Sequence, residues 1–268
     1  MTFKAKALSL VRRGKREVIL TAIGFNGGNN LFKWQLAYSR TLDKGLISKV
    51  LYFPNQDAWL EMFPGLRKLS ITSDQIRFTD RRATYMGAAQ GVDYTPQERA
   101  RFIKDVLLTS DGFKQSLERA QAFVRDDDLV INVRRGDYYN SRFEPEFGIN
   151  IVEYVRQALA KQLALGPVGR VVLVSDNVPW CVDNLTHLAP QLEFVVNENR
   201  RDMFDDLAVL ACAKRLILAN STFSYWGAFI AQVLGAQLEN IVAPAFHQGD
   251  VPTASELWRD PRWNFIHE

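Results

Sequence analysis

The chain has 268 residues, 47% of them hydrophobic and 24% charged, with 33 Lys and Arg against 30 Asp and Glu for a net charge of +3. That is ordinary globular material, enough for one large domain or two modest ones, and too mildly basic to suggest a nucleic-acid partner. No apolar run reaches the ~18–20 residues of a membrane span, and the N-terminus lacks the apolar core of a signal peptide, so we expect no transmembrane segment and a cytoplasmic protein.

The basic run Arg12-Arg13-Gly14-Lys15-Arg16 reads as a solvated lead-in. Its alternative is contact with nucleic acid or with anionic lipid, the latter a peripheral membrane contact through Arg12, Arg13, Lys15 and Arg16. Residues 17–23, "EVILTAI", read as a buried strand running into the glycine-asparagine turn "GFNGGNN". Apolar residues at 31, 32, 34, 36, 37, 38 and 42 then give a helical face that ends at Gly45. "SKVLYFP" (48–54) is a second strand, so the chain opens β-loop-α-β. Residues 55–95 suggest only a short helix and short strands, and 96–108 and 111–125 two helices, with Pro96 in a first turn.

From 128 onward the pattern alternates strictly. "DLVINV", "GRVVLVS", "LEFVV", "KRLILA" and "NIVAPAF" are strands, separated by helices at "NIVEYVRQALAKQLAL", "VPWCVDNLTHLA", "DMFDDLAVLACA" and "FSYWGAFIAQVLGA". The strands are continuously apolar, the mark of a parallel sheet covered on both faces. Cys181 and Cys212 sit in apolar surroundings without paired spacing and read as reduced core thiols.

Three strand ends carry polar clusters: Arg134-Arg135-Gly136-Asp137, Ser175-Asp176-Asn177 and Asn220-Ser221-Thr222. Ligands of open parallel sheets bind beyond the carboxyl ends of the strands. Paired guanidinium groups suit a phosphate, although a surface ion pair is the plainer reading of RRGD. Asn220, Ser221 and Thr222 either cap the following helix or aim its N–H groups at a phosphate. Asp176 either accepts from a base or ribose or caps the helix at Trp180. No carboxylate cluster has metal-ligand spacing, so no metal is expected.

In order along the chain, "GNNLF" (28–32), "NVRRGDY" (132–138), "VSDNVPWC" (174–181), "LACAKRLILANSTFSYWGAF" (210–229) and "IVAPAF" (241–246) resemble the α-1,2-fucosyltransferases of glycosyltransferase family 11. The resemblance spans roughly residues 17–265 and is carried by "RRGDY" together with "NSTFSYW". Three positions depart from the family pattern: Asn132 stands for a histidine, Asn177 for an aspartate and Asn30 for a glutamine.

The resemblance implies an α/β, GT-B-like fold of two Rossmann-like lobes. Residues 1–125 would face the acceptor. Residues 126–268, with a parallel sheet, would hold the donor, their C-terminal tail free to pack back on the first lobe. It implies an inverting, metal-independent transfer of L-fucose from GDP-β-L-fucose to a glycan hydroxyl, the 2-OH of a galactose-type residue. GDP-fucose would be the donor substrate, and no cofactor is implied.

Arg134 and Arg135 would hold the pyrophosphate and balance the charge of departing GDP. Asn132, Ser175 and Asp176 would lie at the donor, with Asp176 helping to read the guanine. Asn220, Ser221, Thr222 and Phe223 would line the phosphate site, and Asn29 and Asn30 would lie across the cleft. Candidates to accept the acceptor's proton are Asp137, Glu144 and Glu146, with Asp137 better suited to orienting an arginine. The competing readings are a glycosyltransferase with another nucleotide sugar and a non-catalytic nucleotide- or carbohydrate-binding protein of the same fold.

Overall fold

A computed structural model describes residues 15–20, 27–43, 45–84, 95–247 and 259–267. The chain divides into two compact units, Met1–Gly112 and Phe113–Glu268.

In the first unit β1 (Arg16–Leu20), β2 (Ile47–Leu51), β3 (Ser70–Ile71) and β4 (Arg81–Thr84) form a parallel sheet in the order β3-β2-β1-β4. The helix α1 (Asn29–Asp43) joins β1 to β2 and buries Leu31, Phe32, Trp34, Leu36 and Ala37, the face marked by the apolar spacing. Gly45 takes φ +58, the left-handed conformation that ends a helix without Cβ strain. The stretch after β2 holds α2 (Asp57–Met62) between two 3-10 turns. Next comes α3 (Pro96–Phe102), with Pro96 in its first turn and the Thr95 hydroxyl accepting from the Glu98 N–H at 3.2 Å.

The second unit alternates helix and strand for most of its length. It runs α4 (Asp111–Phe123), β5 (Leu129–Val133), α5 (Glu144–Phe147), α6 (Ile151–Ala164), β6 (Arg170–Ser175), α7 (Val178–Leu185) and β7 (Glu193–Val196). Then come α8 (Met203–Cys212), β8 (Arg215–Ile217), α9 (Thr222–Val233), β9 (Ile241–Pro244) and β10 (Asn264–Ile266). Its strands are all parallel, in the order β10-β9-β8-β5-β6-β7. Counted from β5 this is the 3-2-1-4-5-6 order of a doubly wound sheet, whose direction of winding reverses between β5 and β8. Every residue of β5 and β6 is buried, as their largely apolar sequences lead one to expect.

Helix α4 belongs with this unit, although its residues read as the end of the first lobe. Arg119 pairs with Asp205 of α8 at 2.6 Å, and the Cys212 thiol reaches the Leu117 carbonyl at 3.8 Å. Helix α9 lies so close to α8 that a Cβ on Gly227 would sit 2.5 Å from the Leu210 Cβ. Cys181 is buried and Cys212 half-buried, both unpaired, and burial raises both thiols, that of Cys212 to about 11.

The amino ends of these strands are stitched by buried polar groups. Asp128, just before β5, accepts from Arg170 at the start of β6 through Nε at 2.9 Å and Nη2 at 3.0 Å. Arg215, at the start of β8, donates to the Gln162 side chain at 3.1 Å and the Pro167 carbonyl at 2.7 Å. Gln162 in turn donates to the Asn240 carbonyl at 2.8 Å, just before β9.

Candidate active site

The carboxyl ends of β5, β6 and β8 bring the three polar clusters to one rim, at the point where the strand order reverses. The two arginines after β5 have different surroundings. Arg134 is committed to carboxylates: Nη1 pairs with Asp176 Oδ2 at 2.7 Å and Nη2 donates to Asp137 Oδ1 at 2.6 Å. Burial pulls this guanidinium down, but Asp176 and Asp137 outweigh it and its pKa lies above the ordinary value. Arg135 is held by aromatic faces instead, its Cζ 4.1 Å from the Trp180 ring centre and 4.6 Å from that of Tyr139. The Arg135 guanidinium has no hydrogen-bond or ion-pair partner among the described residues, so its five N–H donors remain to meet a ligand.

Asp176 binds this loop with both oxygens, because its Oδ1 also accepts from the Arg135 N–H at 2.9 Å. Gly136 is required here: a Cβ would lie 2.5 Å from Asp176 Oδ2 and 3.3 Å from Arg134 Cζ. Asp176 is not the cap of α7. Asn177 is, its Oδ1 accepting from the Trp180 N–H at 3.2 Å. The Ser175 hydroxyl accepts from the Asn177 N–H at 3.0 Å and completes that turn. Asn132, within β5, donates to the Val174 carbonyl of β6 at 3.0 Å and is buried.

After β8, Asn220, Ser221 and Thr222 are buried and Phe223 is half-buried. Ser221 is the N-cap residue of α9, yet its side chain makes no capping bond. Its hydroxyl meets that of Tyr138, whose phenol is pushed up to about 12, chiefly by burial, and so stays neutral. Ser224 takes the local backbone role, accepting from the Ala219 N–H at 3.1 Å. Asn220 turns away from the helix and donates to the Phe147 carbonyl at 2.8 Å.

The acidic candidates differ. Asp137 is engaged with Arg134. Glu144 opens α5, is exposed, and accepts from the Asn140 N–H at 2.9 Å. Glu146, half-buried, lies in the same short helix. Sequence reasoning passed over Tyr139 and His247, which pack around these groups; single aromatic residues between clusters carry no spacing signal.

In the first unit, Gly27 takes φ +55 and its carbonyl accepts from the Asn30 N–H at 3.1 Å, which starts α1. Asn30 is fully buried and its Oδ1 accepts from the buried Lys33 ammonium at 3.0 Å. Burial lowers Lys33 to about 8. The Asn29 Oδ1 is buried without a hydrogen bond among the described residues.

Of the basic lead-in, Arg12 and Arg13 lie outside the described residues. Arg16 is a structural partner rather than a solvated charge, pairing with Asp80 through Nε at 3.0 Å and Nη2 at 2.6 Å. Among the described residues no helix is long and apolar enough to cross a membrane, and no three His, Cys, Asp or Glu side chains group as metal ligands.

Galactoside 2-alpha-L-fucosyltransferase Sec1 of Mus musculus is 28% identical over 160 residues, 54% of this chain and 42% of that protein. O-antigen biosynthesis glycosyltransferase WbnK of Escherichia coli is 27% identical over 101 residues, 37% of this chain and 33% of that protein. These matches thus span less than half the length of either relative. The structure of NodZ alpha-1,6-fucosyltransferase soaked with GDP-fucose is similar at a TM-score of 0.46 and 13% identity, covering 81% of this chain and 93% of that one. The family described as Glycosyl transferase family 11 matches residues 96–266, a stretch that takes in all three rim clusters, and the chain belongs to that family.

Proposed function

We propose that the protein transfers L-fucose from GDP-β-L-fucose to a glycan hydroxyl, with inversion and without a metal ion. The 2-hydroxyl of a galactose-type residue is the acceptor suggested by the names of the curated relatives. Arg135 carries the reading. An arginine held over two aromatic rings, with no anionic partner among the described residues, is preorganised for a diphosphate.

In this mechanism the acceptor oxygen attacks the anomeric carbon as the bond from that carbon to the phosphate oxygen breaks. The electron pair leaves on GDP. Arg135, with the N-terminus of α9 at Ser221, Thr222 and Phe223, balances the charge that develops. Arg134, tied to Asp137 and Asp176, shapes the loop and adds positive field. Glu144 or Glu146 takes the acceptor's proton. Asn29 contributes a further contact to the donor, and the first unit serves the acceptor.

Calorimetry with GDP, UDP and dTDP, with and without EDTA, tests the donor. GDP should bind tightest and EDTA should change nothing; tighter UDP binding or EDTA-abolished activity overturns the proposal. An acceptor screen with labelled GDP-fucose tests the 2-hydroxyl. A cytoplasmic location and lipid contact through Arg12, Arg13 and Lys15 belong to the same proposal, and flotation with anionic vesicles checks the contact.

A further inference from the structure

Three segments distant in sequence meet behind the rim. Asn220 is 2% exposed, and its side-chain amide donates to the Phe147 carbonyl at 2.8 Å and to the His247 carbonyl at 3.4 Å. The His247 ring lies within hydrogen-bond reach of the Tyr225 hydroxyl of α9, Nδ1 to oxygen 3.0 Å. The Phe147 ring stacks on Tyr138 with centres 4.7 Å apart and planes 17° apart, and meets His247 edge-on at 6.3 Å. Phe147 is thus held by its carbonyl and by two aromatic contacts to its ring.

The same turn is pinned elsewhere. The Tyr139 hydroxyl donates to the Ile149 carbonyl at 2.9 Å and accepts from the Ile149 N–H at 3.0 Å. Gly148 donates to the Glu144 carbonyl at 2.7 Å, and a Cβ on Gly148 would lie 2.6 Å from that oxygen. A helix as short as α5 has no stability of its own. Its shape must come from these outside contacts, and the Asn220 amide supplies a side-chain bond to it from the loop after β8.

We propose that Asn220, with His247 as its second anchor, is a latch that fixes the acidic turn 144–148 against the end of β8. Asn220 is then a positioning residue for turnover and not a ligand of the donor. The consequence for turnover rests on the reading of Glu144 or Glu146 as the proton acceptor. With both N–H donors of its amide spent on backbone carbonyls, Asn220 has none left for a phosphate oxygen. What it controls is where the carboxylates of the turn stand.

The test is Asn220→Asp in the full chain, a substitution of equal shape that swaps a donor for an acceptor facing two carbonyls. Three quantities are measured: hydrogen exchange of residues 140–149, GDP affinity by calorimetry, and kcat and KM for the donor. Exchange of 140–149 should quicken by about tenfold or more while exchange in β5 and β6 holds. The GDP Kd and donor KM should stay within about threefold and kcat should fall by about tenfold or more. Unchanged exchange in 140–149 overturns the latch, and so does a loss of GDP affinity as large as the loss of turnover. Faster exchange with undiminished kcat upholds the latch and instead removes Glu144 and Glu146 as proton acceptors. If Asn220→Asp does not fold, Phe147→Leu carries the test, since it keeps apolar bulk at a half-buried site while losing the ring stacking.

Discussion

Asp176→Asn separates two roles for one carboxylate. Asp176 Oδ1 holds the Arg135 N–H at 2.9 Å and Oδ2 holds Arg134 Nη1 at 2.7 Å. An asparagine keeps one acceptor and sets an NH₂ against the other donor, so whichever way the amide turns, one loop N–H loses its partner. A hydrogen bond to a charged group contributes ~1.5–3 kcal/mol. The Arg134 and Asp176 side chains are 38% and 26% exposed, so water recovers part of that. We therefore expect a cost of about 1–2 kcal/mol, roughly 5–30-fold in Kd. Because the loop and not the base is disturbed, GDP, UDP and pyrophosphate should weaken by the same factor in calorimetry. The melting temperature should fall by only a few degrees, since Asn177 and not Asp176 caps α7. A loss confined to GDP would refute the loop-tether reasoning and return Asp176 to the guanine. Unchanged affinity for all three would refute both roles.

Arg135→Lys should weaken GDP almost as much as Arg135→Ala, by about tenfold or more, because lysine lacks the flat face that lies against Trp180 and Tyr139; full affinity in the lysine variant would return the residue to the surface. Lys33 should make stability depend on pH. Its folded value of about 8 is below the ordinary 10.5, so burying its charge costs most below pH 8, and stability rises as pH climbs toward 10.5. Denaturant unfolding at pH 7.5 and 9.5 should show wild type gaining on Lys33→Met by about 2 kcal/mol, and parallel pH profiles would contradict this. Gly227→Ala should destabilise by about 1–3 kcal/mol in the same assay, against the ~1 kcal/mol gain that helix propensity alone predicts, so the sign of the change decides.

The second sheet was legible because its strands are apolar runs that stop at polar clusters, a pattern that a buried parallel sheet imposes. β10 was not legible, since three residues reading "NFI" carry no run and take their place by pairing with Pro244 and its neighbours. The edge between units was misread at α4, where Arg119 finds its acid partner 86 residues away, beyond any local pattern. At the rim, the residue types of RRGD pointed to an anion but hid the division of labour between Arg134 and Arg135. That division is set by which neighbour is a carboxylate and which is an aromatic ring. Asn177 replaced Asp176 as the cap because the two side chains are equally able to cap and only backbone direction chooses between them.

Arginine stands at both ends of the strands in the second sheet, and the end determines what its loss would mean. Arg170 opens β6 and neutralises the fully buried Asp128; without it that carboxylate would be stranded, a defect of ~3–5 kcal/mol that is felt as lost protein. Arg135 stands two residues past the end of β5 with no carboxylate partner among the described residues, and its loss would leave a folded but idle molecule. A survey of arginine variants in this chain should therefore sort by position along a strand, abundance falling for those at its start and activity alone for those just past its end.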